Sequence, residues 1–420
     1  VNAADETKRN VATTDVPTNE VRERARGFDP QDPATAANLH GDLALFRREC
    51  PVLHSETHGG FWVVTGYDEI KEAGRHADRF SSAVEGVGAA VIVSELDGVV
   101  APLFELDLSA HAAWRRHLQP FFSSAAAARH EDYIRGLIRQ VVDELRPRGH
   151  ADFVCDLTQR VPPMVVAALL GVPERDRPTL ASLARGLAAA PSAEEAELIG
   201  REYADFMLDQ IRARRGQHGD DLLTSVVNAE FTGRYATDEE LLKFALLMVA
   251  AGHLTTTDAC ANTLLVLAQD EKLRHRVAGD LSLIPELIEE SVRHESAVAA
   301  TGRTVLVETE LGGVPLSPGD RVLLIWGSAN RDKKHFPDGD EFRLGRERGP
   351  LPHLGWGAGA HRCLGMHHAR LELRVMLEEV LRAIPDFQLA KNVEPERTFG
   401  VIRGVRSLPV EWPVTMQHND

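Results

Sequence analysis

Apolar positions along the chain recur mostly at helical spacing, and from a short β pattern at Phe61-Trp62-Val63-Val64-Thr65 to about Ala268 the sequence reads as helices joined by turns. Two β patterns return at Thr304-Val305-Leu306-Val307 and Val322-Leu323-Leu324-Ile325, with turn signals at Gly312-Gly313 and Pro318-Gly319 between them. The prediction is a mainly α protein with a small β region. No repeat or low-complexity linker divides it, so residues 28–420 are expected to form one domain. Residues 1–27 are polar, mixed in charge and aperiodic, which predicts a loosely held tail. The longest pattern opens on Thr237-Asp238-Glu239-Glu240, a capping box, and runs without proline to about Gln269. At ~1.5 Å per residue that helix spans roughly 50 Å. Its middle, Ala250-Ala251-Gly252-His253-Leu254-Thr255-Thr256-Thr257, is a poor helix by propensity, since glycine costs ~1 kcal/mol against alanine and adjacent threonines crowd the turn. Small residues there make room for a flat ligand or for a neighbouring helix, and a threonine hydroxyl can bond the carbonyl one turn earlier.

A second segment carries chemistry. Leu354-Gly355-Trp356-Gly357-Ala358-Gly359-Ala360-His361-Arg362-Cys363-Leu364-Gly365 is a glycine-rich loop with one thiol at its end. Behind it Met366, Ala369, Leu373 and Met376 recur at helical spacing, which puts the sulfur at a helix start, where free N–H groups favour a thiolate. The formal match of Gly355-x-Gly357-x-x-Ala360 to a dinucleotide fingerprint fails in context, because Gly349-Pro350-Leu351-Pro352 stands where a strand should precede it. Zinc stays arguable, since His353, His361, Cys363, His367 and His368 crowd together, although structural zinc usually takes paired cysteines. What remains is a single thiolate on a metal. Glu290-Ser291-Val292-Arg293 adds an opposite-charge pair at i and i+3 on one helix face, which means little alone.

Composition narrows the classes. A formal charge of −16 argues against nonspecific binding to nucleic acid and to an anionic membrane surface. No run approaches the ~18 apolar residues of a membrane span, and the first residues hold no signal-like stretch. Cys50, Cys155, Cys260 and Cys363 lie about a hundred residues apart, a spacing that suits neither a disulfide framework nor an iron–sulfur ligand set. A reducing cytoplasm is the expected setting.

Taken in this order, the cysteine loop, the Glu-x-x-Arg pair and the small-small-x-x-Thr element of the long helix resemble the cytochrome P450 superfamily, in its soluble bacterial branch. The likeness runs from about Gly27 to Pro413. It implies a triangular helical prism with a long central helix, haem b between that helix and the cysteine-loop helix, and a monomer. Cys363 is then the thiolate ligand of the haem iron, a donor that favours O–O cleavage. Glu290 and Arg293 become an interior structural pair. His111, Arg115, Arg303 and His361 match positions that hold the haem propionates, and Trp356, Gly357 and Ala251 lie beside the ring. Trp356 replaces the usual phenylalanine and brings an indole N–H that needs a partner. On the long helix Gly252, Thr255 and Thr256 match the oxygen-activating element, but Leu254 stands where the family carries an acid that relays protons. Thr255, Thr256, water or Asp258 would have to replace it.

The resemblance implies a monooxygenase that hydroxylates or dealkylates an apolar molecule with dioxygen; a peroxide-using enzyme and a haem sensor are the alternatives. With no surviving flavin or nicotinamide motif, electrons are expected from a separate ferredoxin with its reductase, docking at Arg115, Arg116, Arg362 and Arg370. The substrate pocket is expected around Val87 to Val99, around Leu183 to Phe206, and at Val249, Ala250, Leu254, Ala297, Ala300, Val401 and Ile402. Arg403, in a turn, is expected to be solvated.

Overall fold

The computed structural model describes residues 17–83, 102–346, 352–398, 400 and 402–414. Its longest helix begins where the capping box places it. Thr237 Oγ1 accepts from the Glu240 N–H at 3.2 Å, and Glu240 accepts from the Thr237 N–H at 2.8 Å. From there Asp238–Gln269 runs as one helix, packed against the helices Pro162–Leu169, Ala193–Arg214 and Met366–Ala383. By length and composition alone this helix could cross a membrane, yet 50% of its most apolar stretch is buried inside the protein. Its apolar character is that of a core element.

Five strands make the main sheet: β1 (Val52–Ser55), β2 (Phe61–Val64), β3 (Phe80–Ser81), β4 (Thr301–Val305) and β5 (Arg321–Leu324). Their order is β1-β2-β5-β4-β3, with β2 and β5 parallel and the other neighbours antiparallel. The strand expected at Thr304 starts three residues earlier, and Leu306 and Val307 are left exposed beyond its end. All five residues of β4 are buried, Arg303 among them. Gly312-Gly313 turns a small separate hairpin between Thr309–Leu311 and Val314–Leu316.

The last part of the expected tail is folded. Asn19–Arg26 is a helix, and Val21 and Ala25, one turn apart, are each 1% exposed in a cluster with Leu39, Leu43, Phe46 and Phe61. Two small apolar residues at i and i+4 suffice to dock a helix that is charged elsewhere.

Candidate active site

A cavity of about 290 Å³ lies between the long helix and the cysteine loop. Of the four cysteines, Cys363 alone lines it. The loop is held in place by its own backbone: the Cys363 N–H donates to Trp356 O at 2.8 Å, and the Gly357 N–H to Leu354 O at 2.8 Å. Gly359, at φ +65°, sits against the backbone of Gly74 and Arg75, so closely that no side chain fits. Its glycine serves contact with protein rather than with a ligand. The helix then starts at Met366, three residues past the sulfur. Cys363 is deep in the protein but open to the cavity. Burial raises its thiol above the ordinary range, against the Gly365 N–H and the guanidiniums of Arg115, Arg370 and Arg362, which lower it. A metal cation at the sulfur would favour the thiolate. No group of three or more His, Cys, Asp or Glu suited to a metal exists among the described residues, which removes the zinc alternative.

His111, Arg115, Arg303 and His361, spread over 250 residues of sequence, all reach this cavity. His111 and Arg115 come from the helix Leu108–Leu118, Arg303 from β4 and His361 from the loop. The two imidazoles lie 4.3 Å apart, and His361 Nε2 is 3.2 Å from Asp107 Oδ1. Asp107 also accepts from Ser81 Oγ at 2.6 Å and from the Ser82 N–H. Burial lowers His111 to about 4, helped by His361 and Arg115, and its Nε2 has no partner. Burial also lowers Arg303 to about 10. No ion pair reaches Arg115 or Arg303 among the described residues. Two guanidiniums without carboxylate partners and an unsatisfied buried imidazole fit a dianionic group such as the paired haem propionates.

The long helix turns a single face to the cavity: Leu247, Met248, Ala251, Gly252, Thr255, Thr256 and Ala259. This is helical spacing, and it corrects three expectations. Val249 points the other way into a core cluster, while Ala250 and Leu254 fall on the flank and do not line the cavity. Thr255 Oγ1 donates to Ala251 O at 2.6 Å, the bond to the preceding turn that its position allows. Gly252 has a double role, since it touches the cavity and a Cβ there would stand 2.5 Å from Val166 Cγ2. Asp258 packs on Gly404 rather than at the cavity; burial raises it to about 7.

Of the other expected pocket residues, Ala297 lines the cavity, Ala300 is buried in the sheet-side core, and Ile402 bridges Val298 behind the wall. Val401 and the loop Val87 to Val99 lie outside the described residues. Arg403 is 6% exposed and paired with Glu295, so it is neither solvated nor free for a substrate carboxylate.

Glu290 and Arg293 are buried at 6% and 3% exposure and bonded twice at 2.8 Å. Arg293 also donates to the carbonyls of Asn330, Gly339 and Glu341, and Glu290 accepts from Arg346 and the Arg343 N–H. One residue earlier, Glu289 is a partner sequence reasoning missed. It takes Arg370 through both oxygens, His353 at 3.1 Å and the Trp356 indole N–H at 3.3 Å. Although burial opposes ionisation, His353 and Arg370 bring Glu289 down to about 2. Arg370 is thus engaged internally and Arg115 faces the cavity, leaving Arg116 and Arg362 exposed from the expected docking patch.

The donor set is that of a haem-thiolate protein. A family model described as Cytochrome P450 matches residues 191–400. The chain is 33% identical over 390 residues to the putative cytochrome P450 126 of Mycobacterium tuberculosis (strain ATCC 25618 / H37Rv), covering 89% of this chain and 94% of that one. It is 32% identical over 392 residues to the methyl-branched lipid omega-hydroxylase of the same strain, covering 89% and 90%. Among solved structures, CYP108D1 from Novosphingobium aromaticivorans superposes with a TM-score of 0.83 at 28% identity, covering 95% of this chain and 100% of that one. The chain belongs to the cytochrome P450 family, whose members are monooxygenases that bind haem b through a cysteine thiolate.

Proposed function

We propose that this chain oxygenates a small apolar molecule by hydroxylation or dealkylation, drawing electrons from a separate ferredoxin and its reductase. The observation that carries this reading is the cavity wall of Leu103, Phe104, Leu247, Met248, Ala297 and Val298, which offers no charge to a substrate. Haem, when bound at Cys363, supplies the reduction and cleavage of dioxygen. In the balanced reaction R–H and O2 take up two electrons and two protons to give R–OH and water. Arg115, Arg303 and His111 would hold the propionates and so fix the ring's orientation. Thr255, anchored to Ala251 O, keeps a hydroxyl oxygen at a set place in the cavity. Methyl-branched lipid and steroid hydroxylases among the relatives suit an aliphatic substrate. The exposed guanidiniums of Arg116 and Arg362 suit an acidic electron donor.

Leu254 favours a second reading, in which hydrogen peroxide replaces dioxygen, the electrons and the protons together. Turnover of compounds that bind in spectral titration, driven by ferredoxin and reductase or by peroxide, separates the two. Product with peroxide alone would reject the ferredoxin-dependent reading.

A further inference from the structure

Glu289 stands on the helix Ile284–His294, one residue before the interior pair, yet its bonds go to the cysteine loop and to the helix Met366–Ala383 behind it. Oε2 accepts from three donors: Arg370 Nη2 at 2.8 Å, His353 Nε2 at 3.1 Å and Trp356 Nε1 at 3.3 Å. Oε1 accepts from Arg370 Nε at 2.7 Å. The Gly355 N–H donates to His353 Nδ1 at 3.2 Å, which leaves the Nε2–H of that ring for Glu289. The indole of Trp356 is therefore gripped twice. Glu289 holds its N–H, and the Arg370 guanidinium stands over its ring, 5.1 Å from the centroid. Both grips lead to the sulfur. Trp356 lines the cavity together with Cys363, and its carbonyl accepts from the Cys363 N–H at 2.8 Å. Arg370 is one of three guanidiniums whose charge bears on that sulfur.

We infer that Glu289 is a positioning residue which, acting through Trp356 and Arg370, holds down the reduction potential of an iron bound at Cys363. The inference rests on haem at Cys363 and not on the proposed substrate or electron donor. Glu289 acts in two ways. Its carboxylate polarises the indole N–H it accepts from, which leaves more negative charge on the ring beside the sulfur. It also offsets the Arg370 cation, whose field would otherwise reach the sulfur uncompensated. The two effects have one sign, because negative charge near the sulfur favours ferric over ferrous iron. Without the Glu289 charge the ring is less negative, Arg370 is unpaired and the iron is easier to reduce. A clamp that only held the loop onto its neighbouring helices would leave the potential unmoved.

The test is a spectroelectrochemical titration of the haem-loaded wild type, E289Q, W356F and the double variant. E289Q should move the ferrous-to-ferric ratio at a fixed applied potential about tenfold toward ferrous, equivalent to ~59 mV for one electron, at wild-type haem content. Made in the W356F background, the same substitution should move it about threefold or less, since the path through the indole is gone. In protein carrying 15N-tryptophan, the indole resonance that W356F lacks belongs to Trp356, and it should shift upfield in E289Q as the charge-assisted bond is lost. E289D keeps the charge but draws it back from the indole. It stands in for E289Q if the amide variant loads haem poorly, with about a threefold change expected beside Trp356 and none in the W356F background. An unchanged potential, equal shifts in the two backgrounds or an unmoved indole resonance overturns the inference and leaves Glu289 a structural clamp. No turnover is measured, so failure of the oxygenase reading would leave this outcome untouched.

Discussion

Thr255 and Leu254 are neighbours in sequence with different surroundings. The hydroxyl of Thr255 enters the cavity and is tied to Ala251 O, whereas Leu254 sits on the flank of the same helix. On the proposed oxygenase reading Thr255→Ala removes the oxygen that would orient water and leaves the packing intact, so haem content should stay at the wild-type level. Product per electron should fall roughly tenfold, with peroxide making up the difference; equal coupling in mutant and wild type would show that Thr255 takes no part in proton placement. Trp356 shows how far a residue-level reading reaches. That its indole N–H needs a partner follows from chemistry, but the partner, Glu289, lies 67 positions away and is found only by folding the loop onto the helix Ile284–His294.

At the scale of elements, the sensitive places are where two backbones come close. Gly252 lets the helix Pro162–Leu169 approach the long helix, with Val166 Cγ2 where a Cβ would need space. Gly252→Ala gains ~1 kcal/mol in helix propensity but overpacks this crossing, which costs ~1–3 kcal/mol. A net loss of stability in urea titration is expected, relieved by Val166→Ala in the double mutant; additive losses would place the strain elsewhere. The Glu290–Arg293 pair holds the segment from Asn330 to Arg346 onto its helix. Glu290→Ala strands a buried guanidinium and should cost ~3–5 kcal/mol and lower haem content after purification. Wild-type haem content would exclude a structural role. The i, i+3 spacing made the pair visible in the sequence, but its worth was not, because the same spacing on a solvated face contributes only a few tenths of a kcal/mol.

Across the whole molecule, buried histidines set an acid limit. His253 and His368 are each lowered to about 4 by burial, against about 6.5 in an unfolded chain. Between those values the unfolded state binds more protons, so stability rises with pH there. Their contribution, on the order of 3 kcal/mol each, is fully present above pH ~6.5 and is lost as pH falls toward ~4. Thermal midpoints of the wild type should drop through this window, and His253→Gln should flatten the fall; a slope unchanged in the variant would assign it to other groups. Carboxylates held low, such as Glu289 at about 2, act further down: their contribution is present above pH ~4.5 and is lost as pH falls toward ~2.

The resemblance to the cytochrome P450 superfamily named the groups that could face a haem; local physics in the sequence by itself determined the long capped helix, the glycine-turned loop that ends in Cys363 and the helical frame with its small sheet. These depend on spacing, propensity and turn chemistry, which act over a few residues. Tertiary structure alone decided which of those groups meet and which way they face. It took Val249, Ala250 and Leu254 off the cavity wall, closed Arg403 onto Glu295, made Gly252 and Gly359 points of contact between backbones and brought in Glu289. It also left His368 and Glu372 unsatisfied beside the cavity. The reason is that burial and partnership depend on distances through space, and those are set only once distant segments have packed.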